Sequence, residues 1–107
     1  MAAIPPDVTV SIERFLEAVR GQWRVEAAYL FGSQAHGQAG EWSDIDVAVV
    51  FPDRPADLSH ERRRLMRVAA GIDPRIEPRL FVAEDFTIND PLVGEIRRNG
   101  IPLGVLS

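Results

Sequence analysis

Two aspartates, Asp44 and Asp46, stand at the start of the apolar segment "DIDVAVVF". Residues two apart on a β-strand point to the same side, with Cα atoms about 6.5–7 Å apart. Two neighbouring carboxylates of the same sign repel each other, so we expect at least one pKa in the pair to be raised. Carboxylates at this spacing can reach cations held roughly 3.5–4 Å apart, the separation typical of two-metal phosphoryl-transfer sites. Oxygen ligands favour Mg²⁺, which also keeps waters and substrate phosphates as ligands.

A glycine and a serine, Gly32 and Ser33, end the preceding apolar segment "RVEAAYLF". Glycine allows a ligand to approach the backbone closely, and N–H groups at the start of a short helix can face an anion. The serine hydroxyl can donate a further hydrogen bond to a phosphate oxygen. Ten residues separate Ser33 from Asp44, enough for a short helix to return the chain to a neighbouring strand. A phosphate cradle beside paired carboxylates predicts a nucleoside-triphosphate site.

The elements that must position these residues alternate along the chain. Strand-like alternation is found over residues 24–31, 44–51 and 75–83, and apolar residues at helical spacing lie between and around these segments. The predicted order is α-β-α-β-α-β-α, which indicates an α/β (α+β) fold: a small mixed sheet flanked by helices. Pro78 cannot donate to a ladder, so the third strand is expected at a sheet edge or to be bulged there.

Capping residues predict where the helices begin and end. Gly21 is expected to end the first helix, and the third helix is expected to begin near Asp57 or Ser59. The last helix is expected to have Asp90 as its cap, with a proline in the first position, and Gly100 as C′.

Length and composition restrict the class of protein. The chain has 107 residues, 46% of them hydrophobic and 26% charged, so residues 1–107 are predicted to form one globular domain. The net charge of −4 argues against nonspecific nucleic-acid binding, and the lack of lysine and cysteine excludes a catalytic lysine, a thiolate metal site and a cysteine nucleophile. We see no signal peptide and no apolar run near the ~20 residues of a membrane span, so a cytoplasmic protein is expected.

The motif "GSQAHG", the ten-residue spacing and "SDIDVAVV" together resemble the signature of the DNA polymerase β-like nucleotidyltransferases. The short length and the tail "DPLVGEIRRNGIPL" look like the minimal nucleotidyltransferase branch of that superfamily. The resemblance covers about residues 10 to 104. It implies a third metal-site carboxylate on a later strand, and Glu77 in "RIEPRLF" matches that position.

The resemblance also implies a reaction. Asp44, Asp46 and Glu77 would hold two Mg²⁺, Gly32 and Ser33 would bind the triphosphate, and Glu77 could act as general base. AMP would pass from ATP to a hydroxyl acceptor. Minimal nucleotidyltransferases are typically encoded beside a HEPN-domain protein, which implies that this chain is an antitoxin that adenylylates a tyrosine of that toxin.

Plainer interpretations remain open at each position. The two aspartates could face solvent at a strand start, Gly32 and Ser33 could form an ordinary turn with a serine N-cap, and Glu77 could pair with Arg75 or Arg79. The arginines in "ERRRLMR" are expected to form a solvated helix face, His36 to be an exposed loop residue, and Trp23 and Trp42 to be packing or rim residues. At the level of function, the alternatives are a non-catalytic binding module and a small-molecule (aminoglycoside-type) transferase completed by a partner subunit.

Overall fold

The computed structural model describes residues 4–37, 40, 43–87 and 89–103. Helices and strands alternate in these parts of the chain, with a single 3₁₀ turn at Ala83–Asp85 after the third strand. The elements in chain order are α1 (Pro6–Gln22), β1 (Ala27–Phe31), α2 (Ser33–His36), β2 (Ile45–Phe51), α3 (Leu58–Ile72), β3 (Ile76–Val82), α4 (Pro91–Asn99) and β4 (Ile101–Pro102). Within the described residues, no helix has both the length and the hydropathy that crossing a bilayer would require.

The four strands form one mixed sheet in the order β3-β2-β1-β4. β1 is antiparallel to both β2 and β4, whereas β2 and β3 run parallel across the α3 crossover. The predicted fold class, a mixed sheet flanked by helices, is therefore confirmed. The expected edge position of Pro78 is also correct, because among the described strands β3 pairs only with β2.

The ladder between β2 and β3 explains why a proline is tolerated at position 78. The Ile45 N–H donates to the Arg75 carbonyl at 2.8 Å. In a parallel ladder this bond directs the backbone groups of Glu77 and Arg79 towards β2, and those of Pro78 towards the open edge. The missing N–H of Pro78 therefore removes no bond from the sheet.

The two faces of β2 lie in two different cores, as its alternating sequence predicts. The face with Ile45, Val47, Val49 and Phe51 packs in the larger core, under α1 and α3. The opposite face packs in a smaller core with Phe31, Phe86 and α4; its members on β2 are Ala48 and Val50. Asp46 shares this second face by the period of the strand, so it lies on the α4 side of the sheet.

One predicted helix end is wrong, and a second lies at the expected residue but without the expected cap geometry. α1 runs past Gly21 and ends only when Trp23 becomes extended and packs against Phe51, with ring centroids 6.1 Å apart. Gly100 is not left-handed, since its φ is −70°; it is needed because a Cβ there would overlap the Ile96 carbonyl oxygen. The expected caps are confirmed elsewhere: Asp57 accepts from the His60 N–H at 3.0 Å, and Asp90 caps α4.

One arginine of the helix face predicted to be solvated is in fact packed. The guanidinium of Arg64 lies 4.6 Å from the centre of the Trp23 ring and donates to Glu61 at 2.6 Å and to Gln22 at 2.9 Å. A cation over an indole face is attracted by the ring electrons. Arg64 therefore joins α3 to the end of α1, while the other arginines of this helix are exposed.

A buried carboxylate anchors the start of β3 to α1. Asp73 is 8% exposed and accepts hydrogen bonds from Arg75 at 2.8 Å and from Ser11 at 2.6 Å. The Arg75 hydrogen bond is the main reason that the pKa of Asp73 lies well below its usual range. Because Arg75 directly precedes β3, these contacts hold the strand that carries Glu77.

Replacing Asp73 by alanine is expected to destabilise the protein by about 2–3 kcal/mol, because Arg75 and Ser11 lose a shared acceptor. The folded-state pKa is lowered, so the carboxylate stabilises the fold above its unfolded pKa of about 3.9 and loses this contribution as the pH falls. Urea unfolding at about pH 7 and about pH 2.5 measures both effects. The difference in free energy of unfolding between wild type and Asp73→Ala should be smaller at about pH 2.5 than at about pH 7. Asp53→Ala, a change at an exposed residue, should differ little from wild type at either pH. An equal difference for Asp73→Ala at both pH values would contradict the ion-pair argument.

Candidate functional site

The start of β2 brings together residues from three strands. Asp46 lies opposite Phe31 in the antiparallel pair with β1 and opposite Glu77 in the parallel pair with β3. Partners in a ladder point to the same face, so the Glu77 and Asp46 side chains are neighbours on the α4 side of the sheet. Asp44 directly precedes β2, two residues before Asp46, and is exposed.

Gly32 places its backbone directly against the Asp46 carboxylate. Its φ of 73° and ψ of −153° belong to a conformation that only glycine adopts readily. A Cβ at this position would overlap Oδ2 of Asp46 and lie 3.3 Å from its Cγ. From the sequence, Gly32 and Asp46 could be linked only by the spacing of the motif. In the structure they are in contact because the β1–β2 ladder pairs Asp46 with Phe31, the residue before Gly32.

The turn at Gly32 leads into the short helix α2. The Gly32 carbonyl accepts from the N–H groups of Ala35 at 3.1 Å and His36 at 3.3 Å. The N–H groups of Ser33 and Gln34 precede these donors, so no helical bond uses them. The N-cap is Gly32, with no side-chain capping bond, so the plain alternative of a serine N-cap is wrong.

Gln34 is a residue of this region that sequence reasoning missed. Its side chain is 2% exposed, and its Oε1 is a buried acceptor without a hydrogen-bond donor among the described residues. Such a group costs about 1–3 kcal/mol unless a donor reaches it. A glutamine in a polar, glycine-rich segment gives no periodic signal of burial, so only the packing of α2 against β1 and β2 reveals it.

Electrostatics and burial raise the pKa of Asp46. Burial raises its pKa most, and the charges of Glu77 and Asp44 raise it further, whereas Arg79 acts in the opposite direction. The expectation that a carboxylate pKa in the pair would be raised is confirmed, although desolvation is a larger cause than the neighbouring aspartate. A cation beside Asp46 would offset both the burial of its charge and the repulsion from Glu77 and Asp44.

The donor set at this site suits a hard divalent cation, although the described side chains do not form a closed cluster. No three histidine, cysteine, aspartate or glutamate side chains among the described residues are gathered so as to hold a metal ion. Mg²⁺ needs only one or two carboxylates when substrate phosphates and waters complete its shell. Asp46 supplies a partly buried carboxylate, and exposed Asp44 and Glu77, whose charges act on it, supply two more. Metal binding by these three residues stays a prediction.

The remaining sequence-based expectations concern neighbouring side chains. Glu77 is exposed and forms no ion pair with a described residue, and Arg75 donates to Asp73 and Asp7. His36 is exposed, as expected, but it is the last residue of α2 and not a loop residue. Its Nε2 lies 3.5 Å from a Glu95 oxygen. Trp42 lies outside the described residues.

Comparisons with known proteins identify a family and a similar fold. The model of the nucleotidyltransferase domain family matches residues 12–92, which include all five residues of the candidate site. The fold is similar to the crystal structure of a candidate nucleotidyltransferase from Sulfolobus solfataricus, with a TM-score of 0.63 and 21% sequence identity over 90% of this chain and 78% of that one. No curated protein gives a significant match to the chain. Because the family model covers most of its length, the chain belongs to the nucleotidyltransferase domain family.

Proposed function

We propose that the chain transfers a nucleoside monophosphate, namely AMP from ATP, to a hydroxyl group of an acceptor. The observation that carries the proposal is the junction of Gly32 and Asp46, where a half-buried carboxylate lies against a glycine backbone at the start of a helix. Membership of the nucleotidyltransferase domain family supports nucleotidyl transfer as the class of reaction.

Each site residue has a role in this reaction. Gly32 and Ser33 would bind the triphosphate through backbone N–H groups and the serine hydroxyl. Asp44, Asp46 and Glu77 would hold two Mg²⁺, which when bound would neutralise charge on the α-phosphate and on the leaving pyrophosphate. The acceptor oxygen forms a new bond to the α-phosphorus, the bond from that phosphorus to the bridging oxygen breaks, and pyrophosphate leaves. Glu77, exposed beside Asp46, would take the proton of the hydroxyl.

The acceptor is proposed to be a tyrosine of a partner protein. The resemblance to minimal nucleotidyltransferases supports a HEPN-domain toxin as that partner. Attachment of AMP to its tyrosine would add a bulky group with a negative charge and would block whatever the tyrosine does. The chain would then act as an antitoxin through catalysis.

The test is incubation with α-labelled ATP and Mg²⁺, with and without the product of the neighbouring gene, which we expect to be a HEPN-domain protein. We expect a mass gain of one AMP on a tyrosine of the partner, seen by mass spectrometry, and none when Mg²⁺ is chelated. A tight complex without any transfer would instead identify a binding module. Transfer to an aminoglycoside, with protection of growth, would identify the small-molecule transferase.

A further inference from the structure

A groove follows the outer edge of β3 beside the candidate site. Its volume is about 570 Å³, within the usual range of ligand-binding clefts. One wall is a stripe of α3, where Arg62, Met66 and Ala70 recur every four residues. Leu92 of α4 lines the groove from the other side of the sheet. Glu77 belongs to the same lining, so the groove opens onto the carboxylate proposed to deprotonate the acceptor.

The charge of the groove differs from that of the chain as a whole. The net charge of the protein is −4, yet two arginines, Arg62 and Arg79, lie in this lining beside the lone acid Glu77. Arg62 is exposed and forms no ion pair with any described residue. Between these charges the lining is apolar, with Met66 60% exposed at the surface. Such a groove attracts an occupant that combines acidic and apolar groups and disfavours a polycation.

The backbone of this edge argues against an occupant that binds as an added strand. The Ile76 N–H already donates to the Asp73 carbonyl at 3.0 Å, and Pro78 has no N–H. The part of β3 that flanks Glu77 therefore offers no outward donor to a fifth strand. The occupant must be held through side chains, and the thioether of Met66 is a flexible contact of the kind found at protein-binding surfaces.

We infer that this groove docks the acceptor as a segment of a partner protein, in which acidic side chains flank the hydroxyl-bearing residue. An acidic side chain pairs with Arg62, apolar neighbours cover Met66, and the hydroxyl reaches Glu77. The identity of the hydroxyl as a tyrosine rests on the proposed function. The preference for acidic neighbours rests on the groove alone.

Binding without nucleotide tests the docking surface first. The probes are two short fluorescein-labelled peptides with a tyrosine between leucines, one with glutamates and one with arginines on both flanks, followed by fluorescence anisotropy. We expect the acidic peptide to bind the intact chain about tenfold or more tightly than the basic one. Arg62→Glu should lower the affinity for the acidic peptide by about tenfold, and Met66→Ala should lower this affinity as well.

Arg63→Glu is the matched control, because Arg63 is the next residue of α3, is also exposed and does not line the groove. It changes the net charge identically and should alter binding less than twofold. Equal binding of the two peptides, equal effects of the two substitutions, or competition by a short RNA as strong as by unlabelled acidic peptide would each overturn the inference.

Transfer from labelled ATP to the acidic peptide separates the inference from the proposed function. Arg62→Glu should raise KM for the peptide with kcat unchanged, since the contact is made before and during the reaction alike. Charge-dependent binding with no transfer to either peptide would leave the docking surface standing and remove the proposed reaction. Transfer with the same KM in Arg62→Glu would leave the reaction standing and remove the docking surface.

Discussion

Replacing Asp46 by asparagine is expected to lower nucleotidyl transfer by about a thousandfold or more while making the protein without nucleotide more stable. Asparagine keeps the shape of the side chain beside Gly32 but loses the charge that would hold a divalent cation. The carboxylate is partly buried near Glu77 and Asp44, which raises its pKa, so its ionised form costs folding energy. A single substitution should thus separate catalysis from stability.

The pH dependence gives the sign of this gain in stability. Because the folded-state pKa of Asp46 is raised, the charge opposes folding above that pKa and has no effect once both states are protonated, below about pH 3.9. The melting temperature of Asp46→Asn should exceed that of wild type at neutral pH, and the difference should disappear in acid. Asp53→Asn, the same change in the exposed loop after β2, should alter neither transfer nor melting. Full activity of Asp46→Asn would remove the site from consideration.

Alanine at position 32 is expected to destabilise the protein by about 3 kcal/mol and to abolish transfer. Gly32 has a φ of 73° with an extended ψ, which L-residues avoid at a cost of about 1–3 kcal/mol. The added Cβ would in addition overlap Oδ2 of Asp46, so either the strand ladder or the carboxylate must shift. Urea unfolding measures the stability, and labelled ATP measures the transfer.

Gly21→Ala is the control for glycine replacement as such. Gly21 lies inside α1, and a Cβ there meets nothing within 4 Å. Alanine is the better helix former by roughly 0.5–1 kcal/mol, so this change should stabilise the protein. The two substitutions should therefore have opposite signs. If both stabilised the protein, the backbone of Gly32 would not be constrained as described.

The sequence was sufficient for most of the fold because its patterns are local. Alternation along β2 predicted which residues share a face, and the two cores follow that division. The predicted end of α1 was wrong because Trp23 packs against Phe51, which lies in a strand far along the chain. The role of Gly100 depended on the Ile96 carbonyl within its own helix end and not on a left-handed turn.

Some residues of the candidate site could be predicted from local sequence patterns, and others could not. Gly32, Ser33, Asp44 and Asp46 could be selected from motif spacing, but Glu77 was selected by a family resemblance. Its position beside Asp46 depends on the β2–β3 register, which no local pattern specifies. The groove at the edge of β3 could not be predicted either, because it requires knowing that α3 crosses over and lies beside that edge.

The proline at the open margin of the sheet has a consequence for solubility. A bare strand margin is a template on which other chains can polymerise, and natural proteins often interrupt it with residues that cannot pair. Pro78 lies next to Glu77 on this margin and has no N–H to offer an added strand. Pro78 is therefore expected to disfavour strand addition by other copies of the protein at the groove proposed to dock the acceptor.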